Sequence, residues 1–573
     1  MAALAVLLCF ALYALGYVVY ARFLSRTVFS LRADYPTPAH ALEDGVDYVP
    51  AHRFVLFGHH YASITGLSPM LGPAIAVIWG WLPAMIWVVC GALLVGCVHD
   101  FGALVVSVRA KGKSIGVVAE GLMGRRAKSL LHAIIFFGVS LAMGVFVFIL
   151  GELFRPNFYP QAIFPSAVIL VLALVIGILV RNHGFNLWRL ISIGFVVVLL
   201  AVVVSPSLPI LWDSRSGWIF LLLAYAWLAS VLPVWTLLQP RDFLNSLLLY
   251  LGLGLTYIGF FVLRPDFVAP AVDVSPPGAP SIFPFVFIVI ACGAASGFHS
   301  LVSSGTTAKQ LDRETDARPI GYGGMVGESL LGLAAVLACT AGFASADAWR
   351  AHYASWGAMS GLGEKMSAFI SGAAQFVSGL GLPQAQTQTL IAVMVVSFAL
   401  TTLDSATRLL RYNIEEIGQT VRLRALGNRY VSSTLAVASI AFFAFQKVPV
   451  ETPDGTRLQP AGLALWQLFG STNQLLAGLA LLIAALYLIQ RRRPSLPYLI
   501  PMVFMLISTL TAMAIKLGDF FAKGQWLLLT VGGCITTTAV WLVVEAALAL
   551  RRYRREDRRV GLDVELPAGG GSD

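Results

Sequence analysis

The chain is 573 residues long, 58% hydrophobic and only 12% charged, so charged side chains are too few to cover a water-facing surface of that size. That excludes an ordinary soluble enzyme and leaves a membrane protein. A net charge of +10 raises nucleic acid as a partner, but the positions of the basic residues assign them to membrane topology instead.

Apolar windows recur from Ala2 to Leu550, each about the 20 residues that a helix needs to cross the hydrocarbon core. Alternating apolar and polar strands are absent, which sets aside an outer-membrane barrel. In chain order the pattern predicts fifteen helical spans, at about 2–24, 62–79, 82–108, 129–154, 162–180, 187–205, 217–238, 243–263, 282–304, 321–346, 387–410, 430–447, 463–489, 496–515 and 526–550. The first has no basic residue ahead of it and reads as a retained span rather than a cleaved signal. All six cysteines (Cys9, Cys90, Cys97, Cys292, Cys339 and Cys534) lie in apolar windows, so packing is expected of them rather than disulfides or a thiolate metal site.

Alternating the loops between two sides collects about 30 of the 39 Lys and Arg residues on one side, from Arg22 to the RRYRREDRR tail. By the positive-inside rule that side is cytoplasmic, with the N-terminus outside and the C-terminus inside.

Two spans carry helix breakers in their apolar middles. The second reads ITGLSPMLGP, with Thr65, Gly66, Leu67, Ser68 and Pro69 at its centre. The seventh reads WLASVLPVWTLLQP, with Val231, Leu232, Pro233 and Trp235. Counting from span to span, the second enters from the cytoplasm and the seventh from outside. Two inverted five-span units, each opening with a broken helix, are the pattern of a secondary transporter. The units are then 62–205 and 217–415, preceded by an N-terminal span and cytoplasmic loop at 1–61. Four further spans at 430–550 and a basic, Gly-rich cytoplasmic tail at 551–573 follow them. A broken membrane helix leaves N–H groups and carbonyls that hydrocarbon cannot satisfy, so these two segments are the expected substrate-binding residues. Prolines that merely kink a span are the alternative.

Ionisable residues at membrane depth are the next signal. His99 and Asp100 stand in LLVGCVHDFGALVV, where a carboxylate beside an imidazole can share or pass a proton; helix-to-helix hydrogen bonding is the other reading. The ninth span, IVIACGAASGFHSLVSSGTTAKQL, adds His299 and the hydroxyls Ser303, Ser304 and Thr306, which line a permeation route or cap a helix end. Asp404 in TTLDSATRLLRY is placed either to pair with Arg408 one turn on or to take part in gating. Glu152 and Glu328, near span ends, read as wetted acids. His59 and His60, ahead of the first break, together with Gln239 and Arg241, are gate candidates, with interface capping as the alternative for the histidines. Met366 to Phe376 suits a short amphipathic or re-entrant helix.

Enzyme signatures are missing. Gly112, Lys113 and Ser114 end like a P-loop, but Ser107 occupies the required upstream glycine position, and neither HExxH nor GxSxG occurs. No metal is expected; His59 and His60 are the candidates if one binds, and a convergence of His59, His60, His99, Asp100 and His299 on one ion would make the chain a metalloenzyme instead.

The blocks FGHHYASITGLSPMLGP, GCVHDF, ASVLPVWTLLQPRDFL, IACGAASGFHSLVSSGTT, TTLDSATRLLRY and LFGSTNQLLAGLAL together resemble the carbon starvation protein A family of bacterial inner-membrane transporters, over about Phe54 to Lys516. The resemblance implies an all-α polytopic protein with a LeuT/APC-like five-plus-five inverted repeat and two discontinuous helices. It also implies uptake of peptides or pyruvate in the carbon-starvation response. Larger members of the family continue beyond the point where this chain ends. The expectation is therefore a secondary active importer of small carboxylate-bearing solutes in the inner membrane, not an enzyme. It would have no cofactor beyond a coupling ion, with H+ favoured over Na+. Its partners would be the bilayer and the solute, with no nucleic acid. A sodium symporter of the same fold, a channel and a metalloenzyme are the alternatives.

Overall fold

A computed structural model describes residues 1–452 and 455–556. The part of the predicted tail from residue 557 on lies outside the described residues. The fold is helical, with one antiparallel strand pair among those residues, Lys447–Thr452 and Gly455–Pro460. Helices dominate because the apolar stretches must satisfy every backbone N–H and C=O internally once lipid replaces water.

Among the described residues eleven helices are long and apolar enough to cross a membrane, and the bent pair Arg53–Thr65 and Ser68–Trp79 makes a twelfth. By length and composition that is fewer than the fifteen predicted. The difference lies in the shorter apolar helices Arg215–Val231 and Arg429–Phe445 and in the interrupted stretch 282–305. Burial sorts the spans into two shells. Arg125–Leu153, Glu314–Ala341, Gln384–Val421 and Leu468–Gln490 are enclosed by other helices, whereas Ala2–Val28, Leu187–Ser207 and Trp526–Tyr553 turn most of their surface outward.

The second predicted span is broken where its sequence demands. The helix Arg53–Thr65 stops at Gly66, whose φ of 54° suits a residue without a Cβ. The chain then turns by 44° and restarts at Ser68 with Pro69 in its first turn, where the missing N–H costs nothing. The helix begins at Arg53, nine residues before the predicted start of the span at 62, so His59 and His60 are helical and fully buried. An interfacial capping role for them is thereby overturned.

The second break is not where the sequence placed it. Arg215–Val231 simply ends; Leu232 to Leu237 form the turn into the separate helix Leu238–Leu263. Pro233 therefore terminates a helix instead of interrupting one. The interrupted span is the ninth. Ile282–Val289 and Gly297–Gly305 are separated by Ile290 to Ser296, with Gly293 at φ 91°. Small residues at Gly293, Ala294, Ala295, Ser296 and Gly297 would permit close helix packing; here the backbone leaves the helix through them and resumes it at Gly297. The two breaks face one another. Gly72 lies so near Val289 that a Cβ on it would meet the Val289 carbonyl at 2.5 Å, and Pro69 packs on Gly293.

The segment expected to hold a short helix does so, as Leu362–Ser378, which buries Phe369 and Phe376 and packs on Leu238–Leu263, Gly323–Ala341 and Gln384–Val421.

Candidate functional site

A cavity opens at the first break. Thr65, Gly66 and Ser68 line it together with Cys292, Phe298 and Leu301 of the ninth span, Thr402, and Thr472 and Asn473 from Ala461–Gln490. Its wall is mainly apolar and carries no Lys or Arg. Ser68 Oγ is buried and has no hydrogen-bond partner, so it is the hydroxyl left for a solute. Of the other residues predicted to bind substrate, Leu67 is buried and Pro69 faces Gly293.

Val231, Leu232, Pro233 and Trp235 do not line this cavity, because their helix ends before reaching it. Trp235 Nε1 donates to the Gly45 carbonyl at 3.1 Å, Val234 N–H donates to Val46, and the Leu232 carbonyl accepts from Arg408. The segment docks on the loop ahead of the second span.

Behind the ninth-span break lies a chain of titratable groups. His99 Nδ1 is 2.7 Å from Asp100 Oδ1, and His299 Nδ1 is 2.9 Å from Asp100 Oδ2. His299 Nε2 is 3.0 Å from Glu328 Oε2, and Glu328 Oε1 accepts the Gly293 N–H at 3.0 Å. Helices Cys97–Arg109, Gly297–Gly305 and Gly323–Ala341 supply these groups. Glu328 is fully buried, not wetted; the tenth span carries it against the break, where the unpaired Gly293 N–H takes up its carboxylate. Glu152 is buried as well, held by Arg155 at 2.9 Å and by Arg215.

Asn473 secures the same break. Its Oδ1 accepts from Phe298 N–H at 2.9 Å and from Ser296, while its Nδ2 donates to Ser296 Oγ and Cys292 Sγ. Gln474 Nε2 donates to the Phe287 carbonyl. Neither residue was assigned a role from sequence, although both stand in LFGSTNQLLAGLAL. An amide pair in the middle of an apolar window was the available signal. For Glu328 it was an acid within GESLLGLAAVL, apolar on its far side.

Two of the three hydroxyls predicted on the ninth span are spent locally. Ser304 and Thr306 donate to the Ser300 and Val302 carbonyls of their own helix, while Ser303 Oγ is buried without a partner. His60 Nδ1 lies 2.9 Å from Thr307 Oγ1.

A second polar cluster surrounds Arg241. His59 Nδ1 is 2.5 Å from Asp242 Oδ2, Arg241 pairs with Asp404, and Tyr225 O–H donates to Asp404 Oδ2 at 2.6 Å. The predicted Asp404–Arg408 pair is therefore replaced. Arg408 points toward the loop instead, 2.9 Å from Asp47, which Arg411 also reaches at 3.1 Å. Burial by itself would push the Asp47 carboxyl up; the Arg411 and Arg408 guanidiniums outweigh it and hold the carboxyl well below the usual carboxylate range. Gln239 Nε2 donates to Gln310 Oε1 at 2.8 Å.

The histidines do not converge on one ion: His59 and His60 are bound to Asp242 and Thr307. Among the described residues the donor atoms that gather most closely are those of Cys292, His299 and Glu328, within 4.8 Å of one another. Hydrogen bonds and the His299–Glu328 contact account for that grouping.

The family comparison decides what this arrangement belongs to. The family model described as carbon starvation protein CstA matches residues 1–350 and 343–512. The chain belongs to the carbon starvation protein CstA family. It is 31% identical over 559 residues to the peptide transporter CstA of Campylobacter jejuni, covering 87% of this chain and 78% of that one. It is 30% identical over 604 residues to the pyruvate/proton symporter BtsT of Escherichia coli, covering 90% and 82%. Both relatives are named as transporters. Among solved structures, a manganese transporter mutant of Eremococcus coleocola overlaps at a TM-score of 0.46 and 14% identity, over 89% of this chain and 99% of that one, too loosely to add to the fold described above. With its apolar spans, this CstA-family chain is a multi-pass membrane protein.

Proposed function

We propose that the protein is a proton-coupled importer of small carboxylate-bearing solutes, peptides or pyruvate, acting in the bacterial inner membrane during carbon starvation. The observation that carries this reading is the Asp100–His299–Glu328 chain, which runs from membrane depth to the backbone break beside the cavity. Each member can gain or lose a proton, and among the described residues none is tied to an Arg or Lys by an ion pair. A proton entering at Glu328 can pass to His299 and on to Asp100 with His99 behind it. The broken backbone gives a reason for substrate and proton to communicate. Glu328 holds Gly293, and residues around Gly293 pack on the Gly66–Pro69 break that lines the cavity. The carboxylate would sit at the start of helix Ser68–Ala76, where N–H groups and Ser68 Oγ favour an anion.

With the second break moved to the ninth span, the inverted units are better drawn as spans 2–6 and 9–13, about 53–207 and 282–490. The inversion survives, since spans two and nine still enter from opposite sides in the alternating count. The supporting packing is reciprocal: the fourth span lies against the eleventh and the third against the tenth. The N-terminus is outside and the C-terminus cytoplasmic by the distribution of basic residues.

The test is uptake into proteoliposomes. Radiolabelled pyruvate and a dipeptide should each be offered with an inward proton gradient, with an inward sodium gradient and with none. Acceleration by the proton gradient alone is the expected result, and uptake indifferent to both gradients would remove the coupling assignment.

A further inference from the structure

Below the central cavity lies a second one, and the two share Ile135 and Leu301 as their common wall. The lower cavity is lined by Ser114, Ser304, Lys309, Tyr412, Asn413 and Glu416, among others. Among the described residues Lys309 is the only Lys or Arg lining either cavity. Its Nζ stands 3.6 Å from the centroid of the Tyr412 ring and 5.2 Å from that of Tyr48. Among the described residues no carboxylate comes within ion-pair distance of it. Asp47, on the same loop as Tyr48, is taken up by Arg408 and Arg411. Glu416 receives Ser114 Oγ at 2.5 Å and lies 3.6 Å from His132 Nε2. An ammonium held over aromatic faces has no hydrogen-bond acceptor there to match its three donors, and a ring quadrupole compensates a desolvated cation only in part.

We infer that this lower cavity is a second carboxylate subsite, in which Lys309 receives the anion after it passes Ile135 and Leu301 on its way to the cytoplasm. The inference rests on the transport reading above and deepens it. The upper cavity would bind a carboxylate through neutral donors at a helix start, whereas the lower one offers the Lys309 ammonium, beside a Glu416 carboxylate already engaged by Ser114 and His132. An anion is thereby drawn inward, while a neutral analogue of the same shape gains nothing at the lower site. Tyr48 and Lys309 belong to the loops that the basic-residue count places in the cytoplasm, so the subsite acts on the inner face of the cycle.

The experiment measures half-saturation separately on each side of oriented proteoliposomes, using pyruvate exchange with pyruvamide as the neutral competitor. For Lys309→Gln the cytoplasmic-side value for pyruvate should rise about tenfold, the equivalent of one charge-assisted hydrogen bond. The external value should stay as in wild type, and Lys309→Arg should recover most of the loss. Pyruvamide should compete equally in all three proteins. An equal change on both sides, or none, overturns the subsite. Should no exchange occur, thermal unfolding of the detergent-purified protein decides. Stabilisation by pyruvate and not pyruvamide, reduced in Lys309→Gln, supports the subsite even as the transport reading fails. Stabilisation lost in Ser68→Ala and unchanged in Lys309→Gln removes the subsite and leaves the upper cavity.

Discussion

The two buried polar clusters of this protein are built from different side chains, and the difference separates their roles. Asp100, His99, His299 and Glu328 make a chain in which every member can titrate and no permanent cation takes part. The cluster on the other side of the second span is organised by arginine. Arg241 stands between Asp242 and Asp404, and Arg408 and Arg411 clasp Asp47. A guanidinium keeps its proton under all ordinary conditions, so ion pairs made by it hold parts together rather than exchange protons. The first cluster suits the proposed coupling; the second suits a lock that fastens helix Gln384–Val421 to the turn after Val231 and to the loop ahead of the second span.

Four substitutions probe that contrast. Arg241→Met leaves Asp404 and Asp242 buried without their cation, and should cost about 3–5 kcal/mol of stability, read as a lowered thermal unfolding midpoint. A midpoint equal to wild type would assign the cation elsewhere. Glu328→Gln keeps an oxygen for the Gly293 N–H but cannot carry a proton. Concentrative uptake should fall by about a hundredfold, while substrate exchange, which needs no net proton movement, persists. Equal loss of both would make Glu328 a structural residue. Asn473→Ala strips the Phe298 N–H of its acceptor and should destabilise the fold by about 1–3 kcal/mol, with faster hydrogen exchange at residues 296–298 as the local signature. Exchange unchanged there would show that the break holds without the amide.

The smallest effect belongs to Asp47. Its carboxyl is depressed in the folded protein, so its contribution is complete above the ordinary carboxylate pKa of about 4 and is lost only as pH falls through the still lower folded value. Hydrogen exchange of the loop around Gly45 to Tyr48 should then be the same at about pH 8 and about pH 5 apart from the intrinsic rate, because the latch stays charged across that window. Asp47→Asn should loosen the loop by about 1 kcal/mol at both of those pH values. A wild-type loop that opens between those pH values would break the contrast between lock and relay.

Much of this was legible in the chain because it is local. Gly66, Ser68 and Pro69 in succession cannot continue a helix, and the break falls there. An aspartate beside a histidine in an apolar window has to find a polar neighbour, and His299 is that neighbour. Other features were ambiguous for a physical reason. Pro233 reads alike whether it interrupts a span or ends one, since the ring removes the same N–H in both cases. The run CGAASG of the ninth span contains no proline; glycine and alanine permit tight helix packing and also permit the backbone to leave the helix. Asp404 had Arg408 at helical spacing, and local geometry could not announce that Arg241, 163 positions earlier in the chain, would pack closer.

Composition and periodicity alone determined that this is a multi-pass helical membrane protein, that the second span is broken, and that acid and imidazole lie at membrane depth. The motifs determined the family. Tertiary structure decided which span forms the second break, which arginine neutralises Asp404, and that Glu328 and Asn473 belong at the centre. These are matters of partner choice. A buried charge or an unpaired N–H must be satisfied, and which group satisfies it depends on helices brought together from between 35 and 175 positions away in the chain.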